Sequence, residues 1–452
     1  NHIHFVGIGG IGMSGMAELL HNLGFKITGS DILESERTNQ LKDIGIDVNI
    51  GHKSSKVNDS DVLVYSSAVN KNNQEIIIAN KNNIPVIRRA EMLGELLKVK
   101  STSIAIAGTH GKTTTSSMLG SILVEAKLDP TLVIGGVVNE FGSNSMQGDG
   151  DIIVVEADEF DRTFLSLKPT LAVINNLDLE HLDCYKNLDD LQSAFLKFAN
   201  SVPFYGKIFL NIDESNTSKL ISSVKRPYIT FGFSDEALVQ AKNPIYDKLN
   251  SSFDLHIEGM FKTRIDLKLP GKHNIMNALA AISACLDLEI NYDLIKKGLE
   301  KFKGVQRRFD IKYELKNGIK LIDDYAHHPV EVNSVLNALK KGWNNRIISI
   351  FQPHLFSRTQ NFHKEFAQAL FQSDLIIITE IYAARENPIK GISSKTIIKD
   401  LINLGHSNIK YIPKRNNIAK YVKKITKSND LIITMGAGDI WREIENIYKI
   451  LK

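Results

Sequence analysis

The 452-residue sequence predicts an α/β protein built from three domains in series. Short apolar runs typical of buried strands alternate with helix-length segments, as in parallel sheets that are covered on both faces. Two glycine-rich turns each follow a predicted strand and open a predicted helix, as phosphate-binding turns do. The length itself corresponds to about three domains at the usual ~150 residues each.

The first domain is predicted over residues 1–99. Its apolar runs predict strands at 3–6, 26–28, 62–65 and 85–87 and a helix at 13–23. A polar, basic junction at 98–103 separates it from the next domain.

The second domain is predicted over residues 100–305, up to a junction near Lys303 and Gly304. Near-continuous apolar runs predict buried strands at 104–107, 152–155, 171–174 and 207–210, and an alanine-rich segment predicts a helix at 272–288. The segment 222–269 alternates less regularly, and we expect an antiparallel sheet edge there.

The third domain is predicted over residues 306–452. Strands are expected at 320–323, 346–350, 375–378 and 430–433, and a last helix at 441–451.

Composition indicates a soluble globular protein, with 43% hydrophobic and 23% charged residues. The net charge of +4 does not indicate a nucleic-acid partner, and the helical spacing of the lysines between 410 and 427 favours a solvated face over a polyanion site. Two cysteines indicate a reducing compartment. No apolar run is long enough for a membrane span, and the N-terminus lacks signal-peptide features, so we expect a cytoplasmic protein. Because Asn1 is not methionine, we also expect at least one residue before it.

The most informative segment is Gly108–Thr115, which we call the second glycine turn. It follows a β-branched strand and opens a helix whose N-terminal amides attract anions. Lys112 adds a cation and Thr113 a metal-binding hydroxyl, which together suit a triphosphate. The strict Walker spacing fails, since its first glycine would fall at Ile106. The segment nevertheless predicts nucleoside triphosphate binding rather than an ordinary turn.

Residues 7–12, which we call the first glycine turn, match G-x-G-x-x-G between a strand and a helix. Asp31 ends the second strand, where a dinucleotide fold keeps its ribose-binding acid. The motif predicts a diphosphate on the helix N-terminus, with a nicotinamide or flavin dinucleotide as the usual ligand. A purely structural tight turn is the alternative.

Carboxylates follow two predicted strands of the second domain. Glu156 stands at the end of the 152–155 strand, where open α/β sheets bind ligands and a carboxylate can hold Mg²⁺ beside phosphates. A solvated acidic loop is the alternative, and spacing does not decide which carboxylate ligates; we favour Glu156. His181 follows the next strand and is interpreted as either a metal ligand or a surface residue.

In the third domain, Asp323–Pro329 (DDYAHHP) and Phe351–His354 (FQPH) each follow a predicted strand, and Arg358 adds a cation. Paired histidines beside paired aspartates suit either metal binding or recognition of a charged substrate. Helix capping is the alternative for each turn.

The ordered set of motifs resembles the Mur ligases over nearly the whole chain. The motifs that carry this resemblance are Gly7–Gly15, Gly108–Thr115, Glu156–Asp161, His273-Asn274, Arg307-Arg308-Phe309, Asp323–Pro329 and Phe351–His354. The resemblance implies an N-terminal Rossmann-like domain for a UDP-sugar, a central P-loop ATPase with a mostly parallel sheet, and a C-terminal Rossmann-like domain that closes over both. It implies an ATP-dependent ligase that couples L-alanine to UDP-N-acetylmuramate through an acyl phosphate.

The resemblance also implies roles for individual residues. The ATP-binding residues would be Gly108, Thr109, His110, Gly111, Lys112, Thr113, Thr114, His273, Asn274, Asn277, Arg308 and Asp324. The UDP-sugar would contact Gly9, Gly10, Ile11, Gly12, Asp31, His110, His354 and Arg358. Two Mg²⁺ ions would be held by Thr113, Glu156 and His181, and the amino acid would meet Tyr325 and His327. The catalytic set would be Lys112, Glu156, His181, Arg308, Asp324 and His327.

The sequence departs from the family pattern at a few positions. Leu355, Phe356 and Ser357 stand where members commonly have Arg-Tyr-Thr, so one expected cation is missing and Arg358 gains importance. Residues 385–388 differ from the usual small-residue turn near the amino acid. Lys197 is out of register for the carbamoylated lysine of other members and is not assigned that role.

Three other functions are considered. A recycling ligase would couple UDP-N-acetylmuramate to a whole tripeptide. A dinucleotide-dependent oxidoreductase would use the first glycine turn but leaves the second unexplained. A nucleotide-switched binding protein would have no synthetic chemistry. For the ligase that the resemblance implies, we expect a monomer or a weak homodimer.

Overall fold

The structure, a computed structural model, describes residues 1–53, 55–66, 68–70, 72–178, 184–384 and 386–452. The chain forms two compact units. One comprises Asn1–Asn243, Asp254–Ile265 and Met276–Lys303, and the other comprises Pro244–Phe253, Asp266–Ile275 and Gly304–Lys452.

The first sheet has the strand order β3-β2-β1-β4-β5, and its pairings are parallel. Its strands are β1 (His2–Val6), β2 (Lys26–Asp31), β3 (Asp47–Ile50), β4 (Val62–Tyr65) and β5 (Val86–Arg88). Its helices are α1 (Ile11–Asn22), α2 (Glu36–Asp43), α3 (Gln74–Lys81) and α4 (Arg89–Leu96). The strand order reverses between β1 and β4, and the first glycine turn leaves β1 at this reversal, where open α/β sheets bind ligands.

The second sheet has the order β15-β14-β13-β12-β11-β10-β6-β9-β7-β8. Its strands are β6 (Thr102–Ala107), β7 (Thr131–Val138), β8 (Ser143–Met146), β9 (Ile152–Ala157), β10 (Leu171–Ile174), β11 (Lys207–Asn211), β12 (Tyr228–Gly232), β13 (Val239–Asp247), β14 (Asn250–Ile257) and β15 (Met260–Leu267). The accompanying helices are α5 (Lys112–Glu125), α6 (Leu188–Asn200), α7 (Ser215–Ser218), α8 (Lys272–Asp287) and α9 (Tyr292–Lys301).

The centre of this second sheet is apolar and parallel. Strand β6 pairs in parallel with β9 and β10, and the side chains of Ile104–Ala107 are fully buried. At one edge, β12–β15 follow in chain order, but β12 is parallel to both β11 and β13, so the antiparallel arrangement expected there is wrong for β12. Antiparallel pairing joins β7 to β8 at the opposite edge of this sheet.

The third sheet has the order β16-β17-β21-β18-β19-β20, with β16 antiparallel to β17 and the other pairings parallel. Its strands are β16 (Asp310–Glu314), β17 (Lys320–Asp324), β18 (Ile347–Phe351), β19 (Leu375–Ile378), β20 (Ile409–Tyr411) and β21 (Leu431–Met435). Its helices are α10 (Pro329–Gly342), α11 (Phe356–Leu370), α12 (Ser394–Asn403), α13 (Ile418–Ile425) and α14 (Arg442–Leu451).

Every strand predicted from an apolar run is present, which confirms the α/β class. Two of the unpredicted strands are short and largely polar: β3 reads Asp-Val-Asn-Ile, and β8 reads Ser-Asn-Ser-Met with half-buried side chains. Strand β7 also lies outside the predicted runs, although Leu132, Val133 and Ile134 are apolar and buried. In the described part of the chain, no helix is long and apolar enough to cross a membrane.

Candidate active site

The second glycine turn connects β6 to α5 and exposes the start of that helix. Gly108 and Gly111 have φ angles of 137° and 81°, a region that costs a side-chain-bearing residue steric strain. A Cβ atom on Gly111 would lie 2.3 Å from Oδ1 of Asn277, so the backbone passes where a side chain cannot. Helix α5 begins at Lys112 without a side-chain cap, so its first amides point into the turn.

Lys112 is held inside this turn by an ion pair. Its Nζ atom lies 2.6 Å from Oε2 of Glu159 and 2.6 Å from the carbonyl oxygen of Gly108. Burial alone would lower the pKa of Lys112, but Glu159, Asp158 and Glu156 together raise it above its ordinary value. The lysine is therefore a permanent cation at neutral pH. The sequence interpretation missed Glu159, which follows β9 in the same acidic segment.

Glu156 is brought to the start of α5, within β9 rather than after it. Its Oε2 accepts a hydrogen bond from the Thr113 hydroxyl at 3.1 Å, and its Oε1 accepts one from the Gly135 amide at 2.6 Å. A hydroxyl and a carboxylate are the hard oxygen donors that Mg²⁺ prefers. In residues 1–178 and 184–452, apart from the few positions not described, no group of three or more His, Cys, Asp or Glu side chains could hold a metal ion. An ion here would need further oxygens from a bound phosphate.

Residues that follow β10 contact the second glycine turn at His110 and Thr115. The His110 amide donates to Oδ1 of Asn176 at 2.7 Å, and Nε2 of His110 lies 3.2 Å from Oδ2 of Asp178. The Asn175 side chain donates to the Thr115 hydroxyl at 3.0 Å. His181, predicted as a metal ligand, lies outside the described residues.

The predicted adenine-side residues have different surroundings. Asn277 lies at the second glycine turn, where its Oδ1 accepts a hydrogen bond from the Thr115 hydroxyl at 3.4 Å. The Asn274 side chain donates to the carbonyl of Pro270 at 2.8 Å. Burial lowers the pKa of His273 to about 4, although Glu331 opposes this shift, so His273 is neutral at physiological pH.

The first glycine turn is tied to the end of β2. The amides of Gly7 and Ile8 donate to the Ser30 carbonyl at 2.8 Å and 3.0 Å, and the Gly9 amide donates to Oδ2 of Asp31 at 2.8 Å. Asp31 is therefore beside Gly9, as the motif predicts.

A cation that the sequence interpretation missed also reaches the first glycine turn. A Cβ atom on Gly12 would lie 2.4 Å from Nη1 of Arg89, so the guanidinium packs against the first turn of α1. The Nη2 atom of Arg89 lies 4.0 Å from Oδ2 of Asp158. Helix α1 has no acidic residue in its first turn. A cation at the positive end of a helix favours an anion between them.

In the other unit, Asp324 at the end of β17 is buried and accepts two backbone hydrogen bonds. Its partners are the amides of Phe309 at 2.6 Å and Ala326 at 2.7 Å. Burial raises the pKa of Asp324 to about 7, and Arg308 together with the two amides limits the rise. Burial likewise raises the pKa of neighbouring Asp323, against Arg307, whose Nε lies 3.0 Å from its carboxylate.

Arg308 and His327 both lie beside Glu331, and Tyr325 lies beside Arg308 and His327. The Arg308 guanidinium lies 5.1 Å from the Tyr325 ring centre and 3.4 Å from Oε1 of Glu331. The Nδ1 atom of His327 lies 3.2 Å from Oε2 of Glu331 and 3.0 Å from the Tyr325 carbonyl. Because both neighbours are acceptors, we assign the ring proton to Nδ1, which leaves Nε2 able to accept a proton.

His354 and Arg358 complete this group. An Arg358 nitrogen lies 3.2 Å from Nδ1 of His354, whose ring stacks on Tyr382 with centres 5.8 Å apart. The His327 and His354 rings are 5.9 Å apart. The Ser357 amide donates to Oε2 of Glu386 at 2.9 Å, and the Ser357 hydroxyl donates to Oε1 of the same carboxylate. Arg385 lies outside the described residues.

Comparisons with known proteins cover nearly the whole chain. Three family descriptions match consecutive parts of the chain: "Mur ligase family, catalytic domain" over residues 2–101, "Mur ligase middle domain" over 106–285, and "Mur ligase, glutamate ligase domain" over 307–438. The three-domain α/β fold is that of a ligase.

Full-length relatives define the family. A UDP-N-acetylmuramate–L-alanine ligase of Pelobacter propionicus is 44% identical over 100% of this chain and 98% of the relative. The same-named ligase of Salinibacter ruber is 42% identical over 100% of this chain and 95% of the relative. The chain belongs to the Mur ligase family.

Solved structures agree. The UDP-N-acetylmuramate-alanine ligase MurC of Thermotoga maritima is 30% identical, with a TM-score of 0.84 over 99% of this chain and 98% of that chain. A murein peptide ligase of Psychrobacter arcticus is 25% identical, with a TM-score of 0.75 over 100% of this chain and 98% of that one.

Proposed function

We propose that this protein is an ATP-dependent ligase that joins L-alanine to the lactyl carboxylate of UDP-N-acetylmuramate, the first amino-acid addition in peptidoglycan precursor synthesis. The observation that carries the proposal is the pairing of Thr113 with Glu156 beside the Lys112 cation at the start of α5. This arrangement suits a metal–triphosphate, and the full-length relatives named above are ligases of this substrate pair. A dinucleotide oxidoreductase and a nucleotide-switched binding protein are thereby set aside.

Each domain is proposed to bind a different substrate. Residues 1–99 would hold the UDP-sugar, 100–305 ATP, and 306–452 the amino acid while closing over the site. The family matches, which change at 101–106 and 285–307, support this division.

ATP is proposed to bind with its phosphates on the second glycine turn, from Gly108 to Thr114. Lys112 would exchange part of its contact with Glu159 for the β- and γ-phosphate oxygens. Asn277, His273 and Asn274 would serve the nucleoside, and Arg308 and Asp324 would act from the third sheet. Mg²⁺ would be held by Thr113 and Glu156, and a second ion would use His181. When bound, Mg²⁺ neutralises phosphate charge and polarises the transferred phosphoryl group.

The reaction is proposed to pass through an acyl phosphate. A lactyl carboxylate oxygen attacks the γ-phosphorus, the bond to the β-phosphate oxygen breaks, and ADP leaves. The amine of L-alanine then attacks the acyl carbon, and inorganic phosphate leaves from the tetrahedral intermediate. Both reactants of the first step are anions, so Lys112 and Arg308 would offset their repulsion.

The amine must lose a proton before it can attack. His327 is suited to accept it, because Glu331 and the Tyr325 carbonyl hold the ring proton on Nδ1 and leave Nε2 basic. Tyr325 would border the amino acid, and His354 and Arg358 would face the muramoyl group. Exclusion of water would protect the acyl phosphate and gives domain closure a physical purpose.

A phosphate-release assay tests the proposal and separates it from the second candidate, ligation of a tripeptide. That candidate is favoured by the similarity to the Psychrobacter arcticus murein peptide ligase. ATP, Mg²⁺ and UDP-N-acetylmuramate are combined with L-alanine, glycine, L-serine or L-alanyl-γ-D-glutamyl-meso-diaminopimelate. We expect the fastest release with L-alanine. Release that depends on the tripeptide, or that is independent of any acceptor, would contradict the proposal.

The expected cytoplasmic location, the monomer or weak homodimer, and the absence of a nucleic-acid partner stay predictions.

A further inference from the structure

A buried polar cluster lies between strands of the first sheet and helix α3. It takes part in no step of the proposed reaction. Glu75, at the start of α3, has a fully buried side chain. Its Oε2 accepts a hydrogen bond from the Ser30 hydroxyl at 2.5 Å, and its Oε1 lies 3.6 Å from Nε2 of His4. His52, after β3, places Nδ1 2.9 Å from the same Ser30 hydroxyl.

Ser30 connects this cluster to the first glycine turn. Its side chain is held by Glu75 and His52, while its carbonyl accepts the amides of Gly7 and Ile8. The next residue, Asp31, accepts the amide of Gly9. Two consecutive residues of β2 thus hold three consecutive amides of the turn.

We propose that Glu75 is a positioning residue for nucleotide-sugar binding, acting through Ser30 on the first glycine turn. A glycine-rich turn has many accessible conformations, so an anchor on its first three amides is needed to pre-organise the amides that follow them, at the start of α1, for a diphosphate. The Ser30 hydroxyl donates to a buried carboxylate, and hydrogen bonds to such charged acceptors are stronger than those between neutral groups, which suits this bond to anchor Ser30. The inference rests on the proposed function for its ligand, although the anchor itself does not.

The test compares Glu75→Met and Ser30→Ala with a matched control, Thr28→Val. Thr28 lies two residues earlier on β2, and its hydroxyl is 2.8 Å from ring nitrogens of both His2 and His4. It belongs to the same buried region but is not the residue that accepts the turn amides. Calorimetry measures the Kd of UDP-N-acetylmuramate, steady-state kinetics give the KM of ATP, and hydrogen exchange reports on the Gly7 and Ile8 amides.

We expect Glu75→Met, which removes the acceptor at similar side-chain volume, and Ser30→Ala each to weaken UDP-N-acetylmuramate binding about 10-fold and to speed exchange at Gly7 and Ile8. The KM of ATP, and every readout of Thr28→Val in the folded protein, should stay near the wild-type values. Wild-type affinity in both variants, or equal weakening in Thr28→Val, would overturn the inference. If the wild-type protein does not bind UDP-N-acetylmuramate, the proposed function fails, and unchanged exchange in both variants would then separately refute the anchor.

Discussion

The two glycine turns have the same strand–turn–helix design but different chemical equipment. The second carries its own cation and hydroxyl, Lys112 and Thr113, which contact Glu159, just after β9, and Glu156 of β9. The first contains no charged residue; Asp31 and the Ser30 carbonyl hold its amides, and its nearby cation, Arg89, comes from α4.

This difference fits two tasks: the first turn would bind a phosphate group, and the second would take part in transferring one. Phosphoryl transfer requires charge compensation at the moving group, which Lys112 and a metal beside Glu156 can supply. A diphosphate that is only gripped needs ordered amides and one cation. Substitutions in the second turn should therefore affect turnover, and substitutions at the first should affect affinity.

Lys112→Ala gives the largest expected effect. Loss of the cation at the transferred phosphoryl group should lower kcat at least about 10³-fold and leave the Kd of UDP-N-acetylmuramate within about twofold. Phosphate release and calorimetry measure the two quantities. The control is Lys98→Ala, at an exposed lysine paired with Glu95. Turnover near the wild-type rate in Lys112→Ala would refute the role of the second turn.

Glu156→Gln should come next. The amide keeps the hydrogen bond with Thr113 but removes the charge that would hold Mg²⁺, so we expect kcat to fall about 10²-fold and the Mg²⁺ requirement to rise. A magnesium titration of phosphate release measures both. Glu236→Gln, at an exposed position of the same unit, is the control. An unchanged titration would count against Glu156.

Arg89→Ala tests the first turn. Removing a guanidinium that packs against the start of α1 should weaken UDP-N-acetylmuramate binding about 10-fold with little change in kcat. Arg89→Lys should restore part of the affinity, since it keeps the charge but loses the planar fork. Calorimetry on both variants measures the Kd of UDP-N-acetylmuramate. A loss of kcat at constant affinity would contradict the assignment of binding to the first turn.

Asp324→Asn tests the stability of the other unit. Because the folded-state pKa is raised to about 7, the protonated carboxyl contributes stability that is fully present below the unfolded-state pKa. This contribution is lost as pH rises from about 4 through about 7. The substitution should remove up to about 1.4 kcal/mol per pH unit from that decline. Denaturant unfolding at pH 5, 6 and 7 measures the slope, and a slope equal to that of the wild type would contradict this assignment.

Much of the fold could be predicted because parallel strands that are buried on both faces consist of consecutive apolar residues. The segments 104–107 and 171–174 are examples. Strands β3, β8 and β20 could not, because they are short and polar or half-exposed, and pairing with a neighbour rather than local sequence determines them.

The site was partly predictable for a similar reason. Turn motifs are local, so Gly9 with Asp31 and Thr113 with Glu156 could be anticipated from strand ends. Arg89, Glu159 and Glu75 could not, because nothing in their local sequence indicates the tertiary contacts they make. The acidic run at the end of β9 gave a weak indication of Glu159. Glu331 could have been considered because it follows the Asp323–Pro329 motif by two residues, at the start of α10.

The central claim is that ATP activates the sugar-borne carboxylate by phosphorylation. UDP-N-acetylmuramate labelled with a heavy oxygen isotope in its lactyl carboxylate tests this claim directly when it is turned over with ATP and L-alanine. Mass spectrometry of the released phosphate should show one labelled oxygen per molecule, transferred when the acyl–oxygen bond breaks. Phosphate without label, released while the amide forms, would contradict the account.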